Sequence, residues 1–146
     1  MRLRGFFYSF GMKQCGRDFQ VAHDVKLLNI ETISAGNNSY VAYGSILIAN
    51  PNGEIIIGNQ VMIGPQCVLV SDNHTSAHGS YRYGQFVEGN IIIEDGAWVG
   101  AHCTILLNSK LPSNSCLGAN SVLNRSYDTP NSIYVGQPAH RYTKSS

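Results

Sequence analysis

The sequence predicts an all-β fold, a parallel β-helix with three faces and 18 residues per coil. Aliphatic residues return at every sixth place from Ile57: Ile63 and Leu69, then Ile93, Val99, Ile105, Leu111, Leu117 and Leu123. The residue after them is often glycine, as at Gly58, Gly64, Gly100 and Gly118. Four places after them stand mostly small residues: Val61, Cys67, Ala97, Cys103, Ser109, Ser115 and Ser121. An α-helix cannot keep this set on one face, because six residues turn the chain through about 600° and leave successive aliphatics about 120° out of phase. Strands alternate every two residues, so a period of six means short strands joined by turns at a fixed interval. One aliphatic side chain then points inward from each face, and a small residue lets the chain round a tight corner. Coils stack about 4.8 Å apart. Ile93 should lie beneath Leu111, Val99 beneath Leu117 and Ile105 beneath Leu123. A β-sandwich, with its irregular strand spacing, does not place nine aliphatics in step.

Along the chain, residues 1–20 form a lead-in. "MRLRGFFYSFGMKQCG" sets arginines before aromatics without the long apolar core or cleavage site of an export signal. It reads as an amphipathic segment lying on the scaffold or, as the less favoured alternative, on a membrane. Val21, Leu27 and Ile33 keep step, whereas "SYVAYGSILIANPNGE" slips, with Val41 and Leu47 in a shifted register. This predicts a small insertion near Asn37–Ser39 and a bulge around Pro51–Gly53. Leu69 and Ile93 stand 24 residues apart, a whole number of sixes, so the register survives an interruption. Either Thr75 to Ile92 is a degenerate coil with Val87 in an aliphatic slot, or a loop is thrown outward. His78, Tyr81, Arg82 and Tyr83 are poor core residues, which favours a protruding loop over residues 75–92, beginning just after His74. After Leu123 the pattern ends, and residues 126–146 read as a tail folding back along the helix. The whole chain, 1–146, reads as a single domain.

With 13% charged residues and a net charge of +1, bulk charge points to neither nucleic acid nor an anionic membrane. A surface so poor in charge fits partial burial against other subunits. The four cysteines form no CxxC pair and no zinc-like spacing. Cys67 and Cys103 occupy small-residue positions, so buried free thiols and a reducing, cytoplasmic setting fit. No apolar run reaches the roughly 18 residues a membrane span needs.

"IGNQVMIGPQCVLVSDNH", "IIIEDGAWVGAHCTIL", "LGANSVL" and "VGQPAHRY" together resemble the left-handed β-helix hexapeptide acyltransferases. The resemblance covers about Val21 to Lys144. It is greatest to the galactoside, maltose and xenobiotic O-acetyltransferases and their relatives in surface-polysaccharide biosynthesis. It implies a left-handed coil and a homotrimer with acetyl-CoA in the groove between adjacent β-helices. It also implies acetyl transfer to a sugar hydroxyl of a capsule, O-antigen or exopolysaccharide component, with the protruding loop reaching a neighbouring subunit.

An alcohol attacking a thioester needs a base within hydrogen-bond reach, and histidine, with an ordinary pKa near 6.5, suits the task. By the resemblance that base is His74, at the coil end before the excursion, with His78 as its rival four residues on. Asp72 or Asn73 could orient the imidazole, as could a backbone carbonyl. The N–H of Ala101 matches the family's oxyanion donor. Trp98 matches an aromatic flanking the acyl-donor groove; it reads equally as a corner aromatic packing on the next subunit. Ala119 matches the contact to the pantetheine arm. Asn124 and Arg125 stand where relatives carry a Thr-Lys pair, and Arg141 or Lys144 could meet the 3′-phosphate. Asn50, Asp72, Tyr81, Arg82 and Tyr83 are candidates for the acceptor pocket. Alternatives are an N-, serine or xenobiotic acetyltransferase of the same fold, or a non-catalytic β-helix scaffold. Zinc held by His74, His78 and His102, as in carbonic anhydrases of this superfamily, is not expected, because the surrounding motifs differ.

Overall fold

A computed structural model describes residues 1–143. Its strands form three parallel sheets, the faces of a triangular coil. Face A holds Gln14–Cys15, Ile33–Ala35, Ile55–Ile57, Ile91–Ile93 and Ser109–Leu111. Face B holds Gln20–Val21, Tyr40–Val41, Met62–Ile63, Trp98–Val99, Cys116–Leu117 and Ile133–Gly136. Face C holds Lys26–Leu28, Ile46–Ile48, Val68–Val70, Thr104–Leu106 and Val122–Leu123. The three stacked pairs expected from the spacing, Ile93 with Leu111, Val99 with Leu117 and Ile105 with Leu123, are all in register. Leu47, Ile63, Leu69, Ile105, Leu117 and Leu123 are wholly shielded from solvent. Each such side chain contributes roughly 1.5–3 kcal/mol of transfer free energy.

The corners explain the rest of the repeat. Three places after an inward aliphatic, the chain takes a left-handed conformation, at Gln60, Gln66, His102, Asn108, Asn114 and Asn120 (φ between 52° and 59°). Asn, Asp and Gly tolerate this region best, so such residues recur there. The next residue turns inward, and a hydroxyl or thiol at that place donates to a glycine carbonyl one coil on. Ser39 Oγ reaches Gly58 O at 2.7 Å, Ser45 Oγ reaches Gly64 O at 3.0 Å, and Cys67 Sγ reaches Gly100 O at 3.1 Å. The small residue therefore satisfies a buried carbonyl as well as making room.

Two of the early-coil expectations need correction, and a third is met. Asn38 is an ordinary corner residue (φ 56°), and Ala35 pairs with Ile57, so nothing is inserted at Asn37–Ser39. The extra residues lie earlier, where a 3-10 turn over Ile30–Thr32 joins face C to face A. Ala35, and not Ile33 as expected, therefore takes the ladder position, and Ala35, Val41 and Leu47 stack on Ile57, Ile63 and Leu69. The bulge near Pro51–Gly53 is present, closed by reciprocal Asn50 and Gly53 backbone bonds. From Val21 to Leu123, all departures from the six-residue step, including the long excursion, occur at the corner between faces C and A.

At one end, the helix Arg2–Ser9 lies across the first coil, where Met1 O accepts from Val21 N and Tyr8 Oη donates to Val25 O. Gly5 is required there, since a Cβ would sit 1.8 Å from Phe19 O. At the other end the tail does more than fold back. Ile133–Gly136 continues face B, placing buried Tyr134 over Leu117, and Ala139–Arg141 returns antiparallel to it. Tyr134 packs against Tyr127 (4.4 Å between centroids), closing the core.

Candidate active site

The excursion leaves the C–A corner of the third coil as a hairpin. Asp72–His74 pairs antiparallel with Phe86–Glu88, setting His74 opposite Phe86. This is a protruding loop, as expected, though its paired base starts at Asp72, before His74. The degenerate-coil alternative fails because Val87 is exposed. Farther out, Gly84 packs so closely on the other arm that a Cβ would meet Thr75 O at 1.5 Å.

Side chains at Asp72, His74, Phe86 and Glu88 share one side of this ribbon, as alternation requires. The His74 ring rests on Phe86 at 4.6 Å, tilted by 48°. It opens on a shallow pocket of about 360 Å³ lined by Asn73, His74, Tyr81 and Arg82. Tyr81 and Tyr83 are exposed, and the Arg82 guanidinium lies 5.9 Å from the Tyr83 ring centroid. The loop thus gathers an imidazole, a guanidinium and the Tyr81 phenol around one opening, which suits a polyhydroxylated ligand. Asn50 Nδ2 donates to Asp72 Oδ2 at 2.9 Å and anchors the hairpin base.

Neither expected partner orients the imidazole. Asp72 is held by Asn50, and Asn73 Oδ1 accepts the main-chain N–H of His74 at 2.8 Å. The ring contact the imidazole does make is with Phe86, a residue the sequence reading missed. The mirrored strings "DNH" and "FVE" around a polar turn carried the signal. His78 sits at the loop tip with φ 51° beside Gly79, in the tight turn closed by Ala77 and Ser80. His102 is an exposed corner residue whose N–H donates to Pro65 O. His74, His78 and His102 are not gathered, and no group of three metal-ligating side chains occurs among the described residues.

The remaining candidates divide between two corners. Ala101 and Ala119 stack at the corner between faces B and C, each one place after the glycine bonded to the next coil. Neither of their N–H groups has a backbone partner among the described residues, so both are available as donors. Trp98, 52% exposed, stands on the outer surface of face B between Met62 and Cys116. Arg141 lies on the antiparallel edge strand of that face. Asn124 and Arg125 are exposed at the C–A corner, the corner that carries His74. Lys144 lies outside the described residues. One chain therefore holds the imidazole on one edge and the two backbone donors on another.

No family model matches the chain. It is 26% identical over 106 residues to the galactoside O-acetyltransferase of Escherichia coli, covering 73% of this chain and 51% of that protein. A hexapeptide-repeat acetyltransferase from Vibrio cholerae, solved with acetyl-CoA, superimposes with a TM-score of 0.87 at 22% identity, over 97% of this chain and 75% of its own. The fold is that of the hexapeptide-repeat acetyltransferases. A maltose O-acetyltransferase from Clostridium difficile shares it with a TM-score of 0.86 at 23% identity, over 97% and 74% of the two chains. The chain spans about half the length of the curated relatives it matches. The hexapeptide-repeat coil is left-handed, which a residue period, blind to mirror images, does not decide.

Proposed function

We propose that this chain is a cytoplasmic, acetyl-CoA-dependent O-acetyltransferase that modifies a sugar hydroxyl in surface-polysaccharide synthesis. The observation that carries the reading is His74, seated on Phe86 at the mouth of a polar, aromatic pocket on the one long excursion from a hexapeptide-repeat coil. The sugar hydroxyl loses its proton to the imidazole as its oxygen attacks the thioester carbon. A backbone N–H at Ala101 stabilises the oxyanion. The tetrahedral adduct then collapses, the C–S bond breaks, and the imidazolium returns its proton to the departing CoA thiolate. No acyl-enzyme forms. Ala119, Trp98, Asn124, Arg125 and Arg141 line the path assigned to the donor. Asn50, Asp72, Tyr81, Arg82 and Tyr83 frame the acceptor side. Four unbridged cysteines fit the reducing compartment.

The split between corners supports a homotrimer. Face C lies between the two edges, and its outer surface is mostly aliphatic, with Ile46, Ile48, Val68, Val70, Leu106 and Val122 beside Lys26 and Thr104. Cyclic packing on that face would bring the His74 edge of one copy beside the Ala101 edge of the next and repeat the site three times.

The test is release of CoA from acetyl-CoA across a panel of sugars and oligosaccharides. His74→Ala should lower turnover by about 10²–10⁴-fold, with CoA still raising the thermal midpoint. Turnover near wild type would overturn the assignment of the base, and absence of any CoA-induced shift in the wild type would overturn the enzyme reading.

A further inference from the structure

The lead-in helix has two apolar sides, and the fold uses only one. Gly5, Tyr8 and Met12 turn toward the first coil. Leu3, Phe6, Phe7 and Phe10, spaced as one helical stripe, are exposed to solvent, and Phe6 also lines a cleft of about 200 Å³ against Arg17–Phe19 of the first coil. They are 69%, 57%, 65% and 75% exposed. Phe6 packs edge-on against both Phe7 (5.9 Å) and Phe10 (5.0 Å), which joins the stripe into one aromatic ridge. Phe6 and Phe7 of the helix and Phe10 just after it are three exposed phenylalanines within five residues, a cluster repeated nowhere else among the described residues.

Charge identifies what covers this ridge. Arg2 and Arg4 flank the stripe on either side, and Lys13 and Arg17 follow at the same end of the coil. No acidic residue precedes Asp18, whereas the whole chain carries 10 basic and 9 acidic residues. Arg2 pairs with Asp18, and Lys13 with Glu54; Arg4 and Arg17 have no ion pair among the described residues. Face-to-face pairing with a second copy would set arginine against arginine. An anionic bilayer supplies what the surface lacks, an apolar layer for the rings beneath a sheet of negative headgroups for the cations.

We infer that the outward face of the helix Arg2–Ser9, with Phe10, is a peripheral docking surface for anionic phospholipid bilayers. It seats the base of the coil on the membrane and leaves the loop edges clear. The inference does not rest on the acetyltransferase reading. The earlier exclusion of an anionic membrane concerned bulk charge, and the asymmetry here is local.

Co-sedimentation of the full chain with vesicles tests it. The wild type should pellet with phosphatidylglycerol–phosphatidylcholine vesicles in low salt. Binding should be at least about tenfold weaker to pure phosphatidylcholine or in 0.5 M salt, because basic residues act only near an anionic, unscreened surface. Phe6→Ser/Phe7→Ser/Phe10→Ser should abolish pelleting, and Arg4→Glu should weaken it about fivefold or more. Since these side chains are exposed to solvent, both variants should keep the wild-type thermal midpoint and CoA-induced shift. Wild type remaining in the supernatant with anionic vesicles would overturn the inference, as would equal binding by the triple variant. So would a concentration-dependent rise in mass, removed by the serine substitutions, in protein that ignores vesicles; that result would mean the ridge pairs with protein.

Discussion

His102 holds a left-handed backbone (φ 57°) that Gln66 and Asn120 repeat at the same corner one coil below and above. Its presence beside Ala101 is a matter of turn geometry. His102→Asn and His102→Gly should leave turnover within about twofold, while His102→Val should cost on the order of 1 kcal/mol by urea unfolding, because a β-branched side chain tolerates the left-handed region worse than histidine does. A tenfold fall in turnover for the asparagine variant would give the imidazole a chemical role. Cys67 and Cys103 illustrate the same discipline inside the coil. Cys103 beside it, together with burial, pushes the Cys67 thiol well above its ordinary value, and its S–H is committed to Gly100 O. Neither interior thiol should react with iodoacetamide in the native protein, whereas half-buried Cys15 and Cys116 should react slowly. These positions were legible in the sequence as "small", and their bonding partners were not, since each carbonyl comes from a different coil.

Between faces A and B, polar side chains form a ladder up the corner. Asn37 Oδ1 accepts from Arg17 N, Asn59 Oδ1 from Asn37 N, and Asp95 Oδ1 from Asn59 N at 2.7–2.8 Å. The Asn59 backbone and side-chain donors hold the Asp95 carboxyl below its ordinary value. A carboxylate with a depressed folded pKa stabilises above its unfolded pKa, about 3.9, and loses that contribution as pH falls through the folded value. Asp95→Asn should therefore narrow the difference in urea midpoint between pH 6 and pH 3; an unchanged difference would deny the ladder its charge-assisted step. In the excursion, Phe86→Ala should leave the coil intact but free the imidazole. Turnover should fall about tenfold or more with little change in acetyl-CoA KM, as expected when a base loses its position. The misplaced early insertion also belongs to this scale. Ile33 and Ala35 are both buried on one strand, so a period of two offered the aliphatic Ile33 where the coil uses Ala35.

As a whole the molecule is a stack in which each coil touches only its neighbours, so stability propagates along one dimension. Leu117→Ala, in a wholly buried slot between Val99 and Tyr134, should cost roughly 2–5 kcal/mol. The proposed assembly should be separable from folding. Val70→Glu places a charge on the outer surface of face C, away from the core. It should yield a folded protein of lower mass by light scattering that turns over acetyl-CoA at least about a hundredfold more slowly, because the proposed meeting of the His74 and Ala101 edges would be lost. A monomer with full activity would refute the shared site.

The sequence alone determined the three-sided coil, its core and the position of the excursion, because a six-residue hydrophobic period is a local property that each coil restates. Through its resemblance to the hexapeptide acyltransferases it also pointed to His74, just beyond the last regular step at Leu69. Only the tertiary structure decided which residues share an edge. Phe86 beneath the imidazole, Asn50 on Asp72, the separation of His74 from Ala101 and the outward ridge of the lead-in helix all arise from contacts between segments far apart in the chain. Such contacts depend on how coils stack and ends close, and no repeat period encodes them.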